Sequence, residues 1–524
     1  MQKNKICLAI IMLVTSIPLV GQSDPTLVKS PSGSLTGELV GPNKDVRVYR
    51  GVPYARPPVG DLRWKAPLPV EPWKEPRAMN SFGPACAQIE GSAMFPKPKN
   101  TSEDCLYLNI WMPANPGKEK LPVMLWIHGG SYLFGSGELN YYSGEHLARQ
   151  GVIVVTINYR LGIFGFFGHP ELSTESKHNS SGNYGLLDQI ESLRWVQKNI
   201  GAFGGDKNRV TAFGESAGAG SVLYLMSSPL AKGLFQRAIS QSGVTYSPSR
   251  HLNLDWGQEP MEKMGVRVAM EMGAANIKDL RAMSADDVIK KSNTLTGVLL
   301  GDSKGNKYGP IVDGWVVTDE PALIFARGKH NRMPLLIGAN SDEGTLFTFV
   351  APAMTEEQYR AAVAKAYPDD TAAVLKYYPY SPEQNGKKAF TKLLGDAAFV
   401  CSAGYFADLN RKFSDVFLYH YSWVAPTPRG KALGAFHSSE IPHVFGTSTV
   451  TDGGTSAAPK AMLNYWANFA KTGNPNGDGL PDWTIYQSST APYIEFGNEI
   501  KSGAGMLREQ CALFEKILEP KLKH

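Results

Sequence analysis

The pentapeptide Gly214-Glu215-Ser216-Ala217-Gly218 follows an apolar, strand-like run at 210–213 and opens a helical run, AGAGSVLYLM. A serine between glycines at a strand-to-helix turn is an arrangement that makes a hydroxyl a nucleophile. The turn strains the serine backbone and lifts Oγ clear of the sheet, which only small neighbours permit. The helix that follows aims its free N–H groups at the place where a tetrahedral oxyanion forms. A second glycine-rich segment, His128-Gly129-Gly130-Ser131-Tyr132, ends the apolar run at 123–127. The backbone N–H groups of Gly130 and Ser131, with that of Ala217, are the candidate oxyanion donors.

Such a serine needs a base to take its proton, and the base needs a third group to fix its tautomer and stabilise its charged form. Where the serine sits on a Gly-x-Ser-x-Gly elbow of this kind, the chain order is Ser, acid, His. The run at 335–337 leads into Ala339-Asn340-Ser341-Asp342-Glu343-Gly344, and the run at 416–421 is followed by a loop reaching Gly434-Ala435-Phe436-His437. Position alone leaves Asp342 and Glu343 both open as the acid. Of the ten histidines, His420 falls inside a strand, His524 lies at the end of the sequence and six precede the acid. That leaves His437 and His443.

The elements that must position these loops are legible as an alternation. Apolar runs at 123–127, 152–158, 210–213, 335–337 and 416–421 are separated by helical periodicity, as at 184–198 and 217–227. This predicts an α/β fold with a mainly parallel central sheet and helices on both faces, its ligand site beyond the carboxyl ends of the strands. The stretch 256–292, rich in Met, Ala, Lys and Asp, reads as helices inserted over the sheet. With no internal repeat and no long linker, residues 23–524 are expected to form one domain.

A chain of 524 residues that is 43% apolar and 10% aromatic is neither disordered nor collagen-like. Residues 1–22 have the layout of a secretory leader, with Lys3 and Lys5 before an apolar run of roughly 15 residues. That run is shorter than the ~20 residues of a spanning helix, so a secreted protein without a stable membrane anchor is expected. The formal charge of +5 is small and dispersed, which argues against a nucleic-acid partner. Oligomeric state is not legible. Cys7 leaves with the leader, and Cys86, Cys105, Cys401 and Cys511 remain for two disulfides, with three pairings open. No Cys or His spacing suggests a metal, and the chemistry needs no cofactor. Asn-x-Ser/Thr sequons stand at Asn100 and Asn179.

Six further segments narrow the reading: YRGVPYARPPVGDLRW from Tyr49, SEDCLYLNIW from Ser102, FGGDKNRVTAFGESAG from Phe203, SDEGTLF from Ser341, FHSSEIPHVFG from Phe436 and YWANFAKTGNPN from Tyr465. With them the sequence resembles the type-B carboxylesterase family of α/β-hydrolases, which includes para-nitrobenzyl esterases, animal carboxylesterases and cholinesterases. The resemblance implies Ser216 as nucleophile, Glu343 as acid, His437 as base, and Gly130, Ser131 and Ala217 as oxyanion donors. It implies supporting roles for Ser242, beside the acid, and for Glu215. It also implies the pairings Cys86 with Cys105 and Cys401 with Cys511. The implied activity is two-step hydrolysis of neutral, small to medium esters, with a small-molecule ester as partner.

Two departures stand out. Many members have three consecutive glycines where this chain has Gly129-Gly130-Ser131, and the Cβ of Ser131 is expected to narrow the acyl side. The pattern HGGSY also resembles the neuroligins, adhesion proteins of this fold without the catalytic serine, but here Ser216, Glu343 and His437 are all retained. In the cholinesterases a tryptophan in the loop closed by the first disulfide binds the cationic substrate. The segment between Cys86 and Cys105, AQIEGSAMFPKPKNTSED, has none; it carries Phe95, Lys97 and Lys99 instead.

Overall fold

Runs that are apolar throughout must be covered on both faces, and five of them become the middle of one large sheet. The computed structural model describes residues 24–89, 98–243, 248–292, 306–383, 385–448 and 457–522, so the leader read at 1–22 lies outside the described residues. Among them, one sheet holds eleven strands: β1 (Glu38–Val40), β2 (Val46–Pro53), β3 (Tyr107–Pro113), β4 (Leu121–Ile127), β5 (Ile153–Ile157), β6 (Gly205–Glu215), β7 (Arg237–Gln241), β8 (Leu335–Asn340), β9 (Val416–Tyr421), β10 (Pro492–Phe496) and β11 (Ile500–Ala504). Their spatial order is β1-β2-β3-β5-β4-β6-β7-β8-β9-β10-β11. From β5 to β10 every neighbouring pair is parallel. The flanking pairs are antiparallel.

The pleat divides each central strand between two cores. Val123, Leu125 and Ile127 of β4 point into one, Met124 and Trp126 into the other. The first core is covered by α1 (Tyr184–Asn199) and α2 (Ala217–Ser227). Every residue of α2 is buried, and its opening Ala-Gly-Ala-Gly lets it lie close against the sheet. The 256–292 stretch forms α3 (Met261–Glu271), α4 (Ile277–Ala282) and α5 (Ala285–Lys291), with Met264, Val268 and Leu280 packed into this same core. Further along, α6 (Cys401–Asn410) adds Phe406 to it. On the opposite face, α7 (Ala457–Thr472) contributes Trp466 and Phe469.

Two disulfides are formed. Cys86–Cys105 joins residues 19 apart, and Cys401–Cys511 joins α6 to α8 (Arg508–Leu518) across 110 residues. Each such bridge stabilises a fold by about 2–4 kcal/mol, largely by restricting the unfolded chain. Among the described residues no helix is long and apolar enough to cross a membrane.

Candidate active site

Ser216 stands between β6 and α2 with φ 57° and ψ −123°, a strained conformation for a residue with a Cβ. Its N–H donates to Gln241 O of the neighbouring β7 at 2.9 Å, which fixes the turn. The glycines of the turn are steric necessities: a Cβ at Gly218 would lie 2.0 Å from Ile127 O, the last carbonyl of β4. α2 therefore starts hard against the sheet. Its first N–H, on Ala217, has no acceptor within the helix, and Ala217 lines a cavity together with Ser216.

The segment after β4 turns sharply. Gly130, Ser131 and Tyr132 have φ of 107°, 56° and 62°. A Cβ on Gly130 would sit 2.0 Å from Phe134 O, whereas Ser131 accepts the left-handed conformation with its side chain in place. This serine lines both cavities described below, so it stands where they meet and not on one side alone. Burial pushes His128 down to about 4, so the neutral ring donates from Nδ1 to Gly129 O at 2.8 Å. A contact invisible in the sequence holds the far end of the turn. Gln88, two residues beyond Cys86, accepts from Gly135 N at 2.9 Å and donates to Gly135 O at 3.0 Å.

The acid and base loops pair with each other. Asp342 N donates to Ala435 O at 3.1 Å, and Ala435 N donates back to Asp342 Oδ2 at 3.0 Å. Asp342 is spent on this clamp. The neighbouring Glu343 is free to reach His437, whose Nδ1 lies 2.5 Å from Glu343 Oε2. The other oxygen, Oε1, accepts from Asn340 N at 2.7 Å and from Ser242 Oγ at 2.5 Å. The rings of Phe347 and Phe399 flank the imidazole at 5.0 and 4.7 Å between centroids. His443 packs instead against Tyr421 and Trp423, at 5.8 and 5.0 Å.

Glu215 lies on the other side of the ring: its Oε1 is 3.1 Å from His437 Nε2 and accepts from Ser438 Oγ at 2.5 Å. Nε2 makes no hydrogen bond among the described residues. Burial raises the Glu215 carboxyl; burial opposes charge on His437, but the carboxylates of Glu215 and Glu343 outweigh it and hold the ring above its usual value. Behind them Glu440, fully buried, accepts from Asn340 Nδ2 at 2.7 Å and Gln241 Nε2 at 3.0 Å, while Trp466 Nε1 donates to Gln241 at 2.9 Å. Sequence reasoning did not single out Glu440, although it lies within the FHSSEIPHVFG segment.

Ser216 opens onto two cavities. The larger, about 710 Å³, is lined by His437, Tyr141, Trp423, Phe436 and Arg429. The smaller, about 430 Å³, is lined by Tyr132, Tyr224, Phe399 and residues of α8. Ser216 and His437 share the larger one. The arrangement offers a hydroxyl on a strained turn, an imidazole held against a carboxylate, and a glycine-rich turn and a helix start beside the same cavities. Among the described residues no cluster of His, Cys, Asp and Glu could hold a metal ion.

Known proteins share this architecture. The model of the carboxylesterase family matches residues 24–514. The chain is 37% identical over 506 residues to fumonisin B1 esterase of Sphingopyxis macrogoltabida, covering 94% of this chain and 90% of that protein. It is 34% identical to liver carboxylesterase 1 of Oryctolagus cuniculus, with 94% of each covered, and 35% identical to para-nitrobenzyl esterase of Bacillus subtilis, with 87% and 92% covered. The solved structure of a thermophilic PNB esterase superposes with a TM-score of 0.80 at 32% identity, over 94% of this chain and 100% of that one.

Proposed function

The chain belongs to the carboxylesterase family and is a hydrolase of carboxylic esters, and from that premise we propose that it works through a Ser216-His437-Glu343 triad and an acyl-enzyme. The observation that carries this reading is the 2.5 Å contact between His437 Nδ1 and Glu343 Oε2, made in the same cavity wall as a serine on a strained turn. Glu343 fixes the proton on Nδ1, which leaves Nε2 to take the proton of Ser216. The attacked carbonyl oxygen becomes an oxyanion met by the N–H groups of Gly130, Ser131 and Ala217. His437 then protonates the departing alcohol and later activates the water that frees the acid. Ser242 and Glu215 are positioning residues, the first through Glu343 and the second through the ring. The chain is proposed to act as a single hydrolase unit, residues 23–524, secreted behind a leader at 1–22.

The intermediate gives a direct test. Rapid mixing with a chromogenic acetate ester is expected to show a burst of released alcohol equal to the enzyme concentration, followed by slower turnover. A linear onset with no build-up of acyl-enzyme by intact-protein mass would oppose the two-step course.

The small to medium esters proposed as substrates exclude those with cationic alcohols. A quaternary ammonium is held over an aromatic face, best a tryptophan, and a desolvated contact of this kind contributes about 2 kcal/mol or more. The 87–104 segment supplies no tryptophan and adds Lys97 and Lys99. Acetylthiocholine is therefore expected to give a kcat/KM no better than that of the uncharged 3,3-dimethylbutyl thioester. A preference of about tenfold for the charged substrate, the size of such a contact, would show that another part of the site binds the cation.

A further inference from the structure

In the proposed mechanism the two cavities receive different halves of the ester. The leaving alkoxide is protonated by His437, and His437 lines the larger cavity, so the alcohol half sits there. The acyl half stays on Ser216 until water arrives and is left with the smaller cavity. Near Ser216 that cavity is apolar and aromatic. Farther along, Arg250, Lys307 and Lys521 line it, and among the described residues no aspartate or glutamate does.

Two of these cations are placed by a built feature. A short parallel pairing sets Arg250 beside Ile311 and His251 beside Val312, which carries Lys307, four residues before Ile311, to the same wall. The nearby carboxylates are committed elsewhere. Glu320 accepts from Ser249 N at 2.9 Å and Ser249 Oγ at 3.0 Å and faces His251 Nε2 at 3.3 Å. Glu259 is gripped by Arg267 at 2.8 and 3.3 Å. Arg250 meets the thioether sulfur of Met264 at 2.6 Å, and the carboxylate whose charge acts on it, Glu259, is the one already paired with Arg267. Lys307 is open to solvent, yet it is ringed by enough protein that desolvation, with the neighbouring Arg250 charge, holds its ammonium below the usual value. Burial lowers Arg250 as well. A cavity end walled by three basic side chains and, among the described residues, by no carboxylate is suited to an anion from outside.

We infer that the smaller cavity receives a carboxylate, and that the preferred substrates are half-esters of dicarboxylic or polycarboxylic acids. The free carboxylate lies against Arg250 and Lys307, methylenes cross the apolar stretch, and the esterified carbonyl faces Ser216. The reaction is unchanged: the ester C–O bond breaks, water supplies the hydroxyl of the new acid, and the alcohol leaves with a proton. This adds an anionic group to a substrate that the sequence alone reads as neutral, and it rests on the assignment of Ser216 and His437 above.

The test uses monoethyl adipate, pimelate and suberate, each beside the ethyl ester in which an isopropyl group replaces the free carboxylate. For at least one length, kcat/KM for the half-ester is expected to exceed that of its neutral partner by about tenfold at low salt, mainly through KM, and the ratio to fall several-fold at about 0.5 M salt. Lys307→Gln and Arg250→Gln should each lower this ratio by about tenfold, while Lys307→Arg and Arg250→Lys should keep most of it. Thermal melts identify any variant that has lost its fold. If the neutral esters are cleaved in a Ser216-dependent way but no half-ester is favoured, or the ratio ignores the substitutions, the inference is wrong and the proposed function stands. If neither series is cleaved, the proposed function falls as well.

Discussion

Ser216→Ala is expected to remove ester turnover, by about 10⁶-fold in kcat as in other serine triads, and to abolish labelling by a serine-directed phosphonate. The fold should survive. The strain at this position lies in the backbone, at φ 57°, and alanine carries the same Cβ, so the substitution neither adds to nor relieves it. The main-chain hydrogen bond to Gln241 O is also kept. The variant should melt close to the parent, and peptide mass mapping should find the phosphonate on the parent at Ser216 alone. Substantial labelling of another serine in the variant would overturn the assignment of the nucleophile.

The second large effect comes from Glu343→Gln, expected to lower kcat by about 10⁴-fold, the size of the comparable change in a serine triad. The reason is local. Asn340 N–H donates to Oε1 at 2.7 Å and cannot do otherwise, so it holds the amide oxygen of the new side chain in that place. The amide NH₂ is then turned toward His437 Nδ1. A donor facing Nδ1 forces the ring proton onto Nε2, the nitrogen that must accept from Ser216. Asp342→Asn keeps an oxygen to accept from Ala435 N and leaves His437 undisturbed, so its cost should stay below about tenfold, in the range of one neutral hydrogen bond. Steady-state rates on both variants decide between them. Equal losses would mean that the acid is misassigned or that the two carboxylates act together.

The central strands were legible because burial on both faces leaves an unbroken apolar run, as in β4 and β8. The edge strands β1 and β11 were not, because Glu38–Val40 and Ile500–Ala504 are partly solvated and carry no such run. The same distinction holds in the site. Ser216 announced itself by a turn whose steric demands are local, and the chain order narrowed the acid and the base to two candidates each. What separates Asp342 from Glu343 in space is a contact with Ala435, across 93 residues of chain, which holds Asp342 while Glu343 reaches His437. Gln88, whose partner is the backbone of Gly135, and Glu440, held by Gln241 and Asn340, gave no local signal. Contacts between distant loops leave no periodicity to read.

The smaller cavity is walled in part by α8, the last α-helix among the described residues. Phe514, Ile517 and Leu518 of α8 line it, and the Cys401–Cys511 bridge latches that helix to α6. Ser216, Glu343 and His437 stand on the loops of the central strands, and this helix reaches them only through the 396–400 segment that carries Phe399. In the proposed arrangement, the wall of the acyl cavity and the groups that do the chemistry are thus carried largely by different parts of the chain. Substitutions at Phe514, Ile517 or Leu518 are expected to change which acyl groups fit before they disturb the proposed triad.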